Sequence, residues 1–281
     1  MLAQIKKPVV VVDLSYIQDL SRGHEFLSSK SFWLWPLRIF QEASDKGEKA
    51  RCILAKTLRV FLQNEKRSVI AASPRELSLD EVDGNSISMQ SLVDIKMTQM
   101  IGAIANSKST TQLLEILDLQ NTHLNQGHNV FWSLLLLSNK SNASEKTKVV
   151  FMKSIEDDRL LVTDELAHAH FIELIKPLDS NSEQTTPSLD ELYKTNSPLI
   201  AIAKCLLYLS LRMQTKPLTK EELNDYDDLH YAVLGSLTGH LATNDYGLAR
   251  MVHVCFPETT IITNIPKIQQ MTTMPMIESG R

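Results

Sequence analysis

Glycine is scarce in this chain, with only 9 among 281 residues. Loops that cradle phosphate groups on the backbone depend on closely spaced glycines, and the sequence contains neither a G-x-x-x-x-G-K-S/T string nor a G-x-G-x-x-G string. These absences exclude a P-loop nucleotide-binding protein and a Rossmann dinucleotide-binding protein. Because leucine is abundant while glycine is rare, we expect helices to dominate the fold.

Cysteine is also rare, and the three cysteines form no C-x-x-C pair. Such a scattered, odd-numbered set argues against a disulfide framework and against a cysteine zinc site, and it is typical of proteins in the reducing interior of a cell. Buried small apolar side chains are the expected role of all three, which are Cys52, Cys205 and Cys255.

Long apolar runs are missing as well. The run Val9–Val12 ends at Asp13, and Lys204 and Arg212 interrupt the apolar segment Pro198–Met213. The first is shorter than a signal peptide requires, and the second is too short to span a bilayer. We therefore expect a soluble, cytoplasmic protein with no membrane partner.

The formal net charge is only −4, but the charge is unevenly spread. The stretch Arg38–Arg75 holds nine basic and four acidic residues, a local net charge of +5. A basic face on an acidic protein is compatible with contacts to a phosphate backbone. A solvated helix face with paired charges four residues apart explains the same pattern, so the stretch alone leaves both interpretations open.

Short apolar segments alternate with helical segments, which predicts an α/β fold with a parallel sheet. The first segment, Val9–Val12, is β-branched throughout and shows no alternation, as in a strand buried on both faces. Ser73, Pro74 and Glu76 form the typical start of a helix, with an N-cap, a proline at the first position and a glutamate at the third. The other predicted strands are Ser68–Ala72, Leu241–Thr243 and Thr259–Thr263, and the other predicted helices include 36–64, one or two within 89–119, 198–213, 219–235 and 246–255.

These elements predict one core that is built from both ends of the chain, residues 1–85 and 195–265. Residues 86–194 are expected to form a large insertion or subdomain, mostly helical, with a hairpin over 129–152. Residues 266–281 are expected to form a flexible tail. Trp33 and Trp35 are predicted to bracket a turn before Pro36 and to anchor packing.

Acidic residues follow two of the predicted strands. Asp13 ends the first strand, Asp245 follows Leu241–Thr243, and Asp227 and Asp228 lie just upstream of that strand. Ligand sites in open parallel sheets lie beyond the carboxyl ends of the strands, so these carboxylates should converge. Clustered carboxylates need a cation to remain ionised, and oxygen ligands without Cys or His favour Mg²⁺ or Mn²⁺. Metal-assisted hydrolysis of a phosphodiester is the chemistry that most often needs such a cluster.

The motifs around these acids are similar to those of PIN-domain nucleases. The matching segments are Asp227-Asp-Leu-His230-Tyr-Ala232, then His240-Leu-Ala-Thr243-Asn-Asp245, and the opening Val9–Val12 with Asp13 and Ser15. The resemblance covers about 60 residues at the two ends of the chain. It implies a three-layer α/β/α PIN-like core and a metal-dependent ribonuclease that leaves a 5′-phosphate and a 3′-hydroxyl. Its metal ligands would be Asp13, Asp227 and Asp245, with Thr243 and Ser15 as polar support.

The resemblance also implies a fourth acidic residue on a helix after a strand. Glu76 matches by position, although a capping box at Ser73 explains the same residue. Glu42, within the long predicted helix, is the alternative. For the third position, Asp227 fits the spacing to His230 better than Asp228, which is interpreted as an auxiliary ligand or as an acid that complements the helix dipole.

Two other functions compete with the nuclease. A haloacid-dehalogenase-like phosphatase needs a second Asp two residues after the first, and Ser15 occupies that position, so this class is set aside. A PIN-like fold with degenerate chemistry, acting as a binding or scaffold protein, remains the alternative. The expected partners are single-stranded or loop RNA, a protein partner bound through the insertion, and a second copy of the chain.

Overall fold

A five-stranded, all-parallel sheet forms the centre of the computed structural model, which describes residues 7–20, 31–44, 47–107, 109–117, 162, 167, 197–213 and 223–273. The strand order is β3-β2-β1-β4-β5. The strands are β1 Val9–Val12, β2 Phe32–Trp35, β3 Ser68–Ile70, β4 His240–Ala242 and β5 Thr260–Ile262.

Helices flank the sheet, consistent with a three-layer α/β/α fold. In one group of helices, α1, α2 and α5 all contact α3, and a second group of contacting helices consists of α4, α7, α8 and α9. None of the helices in the described ranges is long and apolar enough to cross a membrane. The helices are α1 Leu14–Leu20, α2 Arg38–Ser44, α3 Ala50–Gln63, α4 Pro74–Val82, α5 Ile95–Ser107, α6 110–117, α7 Pro198–Met213, α8 Leu223–Thr238, α9 Tyr246–Cys255 and α10 Pro266–Thr273.

The strand β2 corrects the expected turn around Trp33 and Trp35. Both indoles are buried, because β2 lies between β1 and β3 and is covered on both faces. The packing role is confirmed: the Trp35 ring centroid lies 6.1 Å from that of Phe40 and 5.3 Å from that of Phe61.

The long helix expected over 36–64 is instead divided into α2 and α3. A 3-10 turn, Gly47–Lys49, separates them, and Gly47 has a φ of 58°. A residue with that backbone angle cannot continue a right-handed helix, and glycine adopts it without a steric penalty. The division lets α2 remain near the carboxyl ends of the strands while α3 runs back to β3.

The chain after β5 also differs from the expected tail. Residues 266–273 form α10, whose Ile268 and Met271 are buried against Ala249 of α9. Apolar side chains at this spacing give a short helix a buried face, which the proline and methionine content alone did not indicate.

Part of the segment expected to be an insertion packs on the core. Helix α5 contacts α3 and β3, and Thr98 and Asp94 bond the outer edge of β3: Ile70 N donates to Thr98 Oγ1 at 2.8 Å, and Asp94 N donates to Ile70 O at 2.9 Å. These bonds cover an edge strand that would otherwise expose unpaired backbone groups. The hairpin expected over 129–152 and most of the predicted insertion lie outside the described residues.

Candidate functional site

The strand order places the candidate site between β1 and β4. The chain leaves β1 toward β2 on one side, and β4 adds on the other side, so the order of the strands reverses here. Ligands of open parallel sheets bind at the carboxyl ends of the strands on either side of such a reversal. The register Val12↔Ala242 and the bond from Asp13 N to Ala242 O (3.0 Å) bring Asp13 level with Thr243.

Asp13 is a buried carboxylate, only 5% exposed. Thr243 Oγ1 donates to its Oδ2 at 2.7 Å, and Ser15 Oγ donates to the same oxygen. Burial raises the pKa of Asp13; these hydroxyls oppose that rise, while the nearby charge of Asp245 adds to it. The polar support predicted for Ser15 and Thr243 is confirmed.

Asp245 is exposed and lies at the start of α9. Its Oδ1 accepts from Leu248 N at 3.0 Å, which makes it the N-cap of that helix, and its own N–H donates to Thr243 Oγ1 at 3.0 Å. Thr243 therefore bonds both acids, donating to Asp13 and accepting from Asp245. This arrangement holds the exposed acid beside the buried one.

Asp228 lies near the exposed member of this pair of acids. A Cβ atom at Gly247 would lie 3.2 Å from Asp245 Oδ1 and 4.0 Å from Asp228 Oδ2, so the two oxygens are no more than about 7 Å apart. The side-chain space left by Gly247 thus borders both carboxylates.

The packing of α8 explains why Asp228 faces the site. Residues three, four and seven positions after Asp228 share its side of the helix, and all three are buried. They are Tyr231, Ala232 and Gly235; a Cβ at Gly235 would lie 3.2 Å from Leu241 Cβ of β4. This close approach seats α8 on β4 and directs Asp228 toward the carboxyl edge of the sheet.

The side chain of Asp227 lies outside the described residues, although its backbone belongs to α8. Its predicted role as the third ligand therefore stays a prediction. Asp228, which was expected to be auxiliary, places its carboxylate near Asp245.

The two candidates for the fourth carboxylate have different surroundings. Glu76 is exposed and forms the expected capping box: its N–H donates to Ser73 Oγ at 3.2 Å, and its Oε2 accepts from Ser73 N at 2.8 Å. Glu42, on α2, accepts from the buried Tyr231 hydroxyl at 2.5 Å. Tyr231 lies one helical turn after Asp228, so Glu42 is linked to the part of α8 that carries an acid of the site.

Sequence reasoning missed Asp19, which helps to hold the loop after β4. Its Oδ2 accepts from Asn244 Nδ2 at 2.8 Å and from Asn264 Nδ2 at 3.3 Å, while Asn244 N donates to Ser15 Oγ at 2.9 Å. Asp19 follows no strand and matches no motif, so its sequence position carried no signal. The pairing of β1, β4 and β5 brings Asn244 and Asn264 within hydrogen-bond distance of Asp19.

The donor set of the site suits a hard cation. Asp13, Asp228 and Asp245 supply carboxylate oxygens, which Mg²⁺ and Mn²⁺ prefer. Within the described ranges, which omit the Asp227 side chain, no group of three or more His, Cys, Asp or Glu side chains is close enough to hold a metal ion. The carboxylates at this edge are neighbours rather than a closed ligand cage.

Comparisons with known proteins add no relative: no family model matches the sequence, and neither the curated proteins nor the solved structures give a significant match. The similarity to PIN-domain nucleases thus rests on the motifs of the chain.

Proposed function

We propose that this protein is a metal-dependent ribonuclease. The observation that carries the proposal is a pair of neighbouring acids at the strand-order reversal: the buried Asp13, whose pKa is raised, lies near the exposed Asp245, and the half-buried Asp228 approaches Asp245 in turn. Carboxylates gathered at such an edge are suited to hold Mg²⁺ or Mn²⁺ against a phosphodiester.

The side chains of the site have two proposed roles, which are binding the cation and orienting Asp13. Asp13 and Asp245 would hold the cation, with Asp228 near Asp245 and Glu42 or Glu76 as the fourth acid. A bound cation would supply a Lewis acid for the scissile phosphate and a more acidic water. Thr243 and Ser15 keep Asp13 Oδ2 oriented through their hydroxyl donors, so its carboxylate does not rotate when the ligand arrives.

The proposed substrate is single-stranded or loop RNA. Asp13 is buried at the sheet edge, whereas the neighbouring Asp245 is exposed. A backbone phosphate within a regular duplex cannot approach a recessed carboxylate unless the strand separates from its partner.

The test is cleavage of a mixed RNA pool followed over time in Mg²⁺ or Mn²⁺. We expect cleavage that stops in EDTA and resumes when the metal is restored. Asp80→Asn is the control for substitutions of the site acids such as Asp13→Asn. Asp80 is exposed on α4 and lies outside the site, so this variant should cleave like the wild type. If neither metal supports cleavage of any RNA, a catalytically degenerate PIN-like binding or scaffold protein becomes the better interpretation.

The basic residues of α3 give a separate prediction for RNA binding. Arg51, Lys56 and Arg59 are exposed, while Leu54, Leu58 and Phe61 bury the other side of the helix. Each phosphate contact releases counterions, so replacing these three by glutamate should weaken RNA binding and flatten its dependence on salt. Fluorescence anisotropy at several salt concentrations measures the slope.

Lys96→Glu is the control for that experiment, since Lys96 is exposed on α5 and the change in charge per residue is the same. We expect Lys96→Glu to leave the slope close to that of the wild type. An unchanged slope in the α3 variants would mean that this surface is a solvated helix face.

A further inference from the structure

Asn244 occupies the centre of the loop that joins β4 to α9, beside the candidate metal site. Its neighbours in the chain are Thr243, whose hydroxyl donates to the buried Asp13, and the exposed Asp245. The backbone N–H of Asp245 in turn donates to Thr243 Oγ1 at 3.0 Å. The position of Asn244 therefore affects the positions of both acids relative to each other.

Helix α1 holds both the backbone and the side chain of Asn244. Ser15 and Asp19 are four residues apart in α1, so they share one side of the helix. Asn244 N donates to Ser15 Oγ at 2.9 Å, and Asn244 Nδ2 donates to Asp19 Oδ2 at 2.8 Å. The helix that follows the buried Asp13 thus also fixes the residue that precedes Asp245.

The loop after β5 binds the other end of the same amide. Asn244 Oδ1 accepts from Thr263 Oγ1 at 2.9 Å and from Asn264 N at 3.2 Å. A backbone N–H can only donate and an ionised carboxylate can only accept, so Asn264 N and Asp19 together fix the orientation of the amide. Asn264 Nδ2 also donates to Asp19 Oδ2, at 3.3 Å, which links the loop after β5 directly to α1.

This network opposes the repulsion between the two acids. Asp13 and Asp245 are neighbouring carboxylates, and without a cation their negative charges repel each other. A loop that was free to move would relax by carrying Asp245 away from Asp13. A cation would then bind only the fraction of molecules in which the acids are close together, and its apparent affinity would fall by that fraction.

We propose that Asp19 is a positioning residue of the metal site, which sets the affinity for Mg²⁺ or Mn²⁺ by holding Asn244 and therefore Asp245. The inference rests on the proposed function. Asp19 acts through the hydrogen bonds of the two asparagines and contributes no ligand to the cation. Partners that orient metal ligands in this way are typically worth about 10- to 100-fold in metal affinity.

The experiment measures Mn²⁺ binding in the absence of RNA, from the electron paramagnetic resonance signal of free Mn²⁺. We expect Asp19→Ala to raise the dissociation constant for Mn²⁺ about tenfold. The cleavage rate at saturating Mn²⁺ should stay close to that of the wild type, because the bound metal selects the loop position that the network normally maintains. A loss of rate that saturating Mn²⁺ does not restore, with unchanged Mn²⁺ affinity, would overturn the positioning role.

Gln269→Ala is the matched control for the loss of a hydrogen bond in this region. Gln269 Nε2 donates to Thr263 O at 2.9 Å, so the variant loses a bond of the loop after β5 and none of the bonds of Asn244. We expect Gln269→Ala to bind Mn²⁺ like the wild type. An equal loss of affinity in Gln269→Ala and Asp19→Ala would mean that Asp19 has only a general structural role.

Asp19→Asn separates the hydrogen bonds of Asp19 from its negative charge. Both amide groups donate to the same oxygen, Asp19 Oδ2, and an asparagine can keep a carbonyl oxygen at that place. We therefore expect Asp19→Asn to recover most of the Mn²⁺ affinity that Asp19→Ala loses. If the two variants are equally weak, Asp19 acts on the cation through its charge, and the positioning role is wrong.

A double variant tests whether Asp19 acts through Asn244. Asn244→Ala should also raise the dissociation constant about tenfold, and it tests the same network if Asp19→Ala does not fold. Adding Asp19→Ala to Asn244→Ala should cause little further loss, because residues that act through one shared contact are not additive. A loss of about 100-fold in the double variant would mean independent effects and would overturn the inference.

These outcomes are distinct from failure of the proposed function. Mn²⁺ binding that Asp19→Ala weakens, without cleavage of any RNA, would overturn the nuclease and retain the positioning role. Metal-dependent cleavage with the same Mn²⁺ affinity in the wild type and Asp19→Ala would retain the nuclease and overturn the positioning role. A wild-type protein that binds no Mn²⁺ would overturn both.

Discussion

Asp13→Asn is expected to abolish metal-dependent RNA cleavage and, in the same protein without metal, to raise the melting temperature. The two effects share one cause, which is the burial of an ionised carboxylate. Without a cation, the ionised Asp13 carboxylate destabilises the folded protein. In the proposed mechanism, the same carboxylate is a ligand of the cation. Loss of several kcal/mol of charge stabilisation corresponds to a fall in rate of about 100-fold or more.

The dependence of stability on pH follows from the raised pKa of Asp13. Between the ordinary value of 3.8 and the raised pKa, the folded protein binds more protons than the unfolded chain, so stability falls as the pH rises through this window. Above the raised pKa, the ionised carboxylate imposes its full penalty. Asp13→Asn removes that penalty, so its advantage should grow as the pH rises through this window and should disappear toward pH 4.

Thermal unfolding of both proteins in EDTA at neutral and acidic pH measures this difference. A gain of about 1 kcal/mol corresponds to a rise of roughly 2–4 °C in a protein of this size. Thr243→Val is the control: it removes a donor to Asp13 at nearly constant volume and should lower the melting temperature. A clear drop in the melting temperature of Asp13→Asn at neutral pH would assign Asp13 a structural hydrogen-bonding role.

Asp228→Asn is expected to reduce the cleavage rate by about 100-fold or more, a larger loss than that of Asp227→Asn. The reason is position, because the Asp228 carboxylate shares the space around Gly247 with Asp245. A carboxylate at that distance contributes to holding a cation even when a water lies between them, and neutralising it weakens metal occupancy.

The two variants form a matched pair, since both remove one negative charge from the same turn of α8. Initial rates over a range of Mn²⁺ concentrations should show that Asp228→Asn needs more metal than the wild type. A greater loss in Asp227→Asn would instead identify Asp227 as the third ligand, in agreement with its spacing to His230.

Several elements were determined by sequence alone because their signals are local. Four consecutive valines ending in an acid predict a buried parallel strand with Asp13 at its carboxyl end, and the structure confirms β1 over Val9–Val12. The helix start at Ser73 is confirmed as a capping box, and α9 occupies Tyr246–Cys255, the predicted bounds. In each case the residues that specify the element are neighbours in the chain, so no distant contact is needed to interpret them.

Tertiary structure decided the features that depend on residues distant in sequence. Phe32–Trp35 is a strand because β1 and β3 lie on either side of it, and the same four residues beside a proline are equally typical of a turn. Residues 266–273 are helical because α9 offers Ala249 for Ile268 and Met271 to pack against.

The candidate site likewise combines features that the sequence determined with features that tertiary packing decided. Sequence placed Asp13 and Asp245 at strand ends, and the register of β1 and β4 joined them. The approach of Asp228 to Asp245 was decided by the contact between Gly235 and Leu241, which sets the rotation of the helix. Neighbouring residues on a helix differ by about 100° in direction, and only packing against the sheet sets that angle.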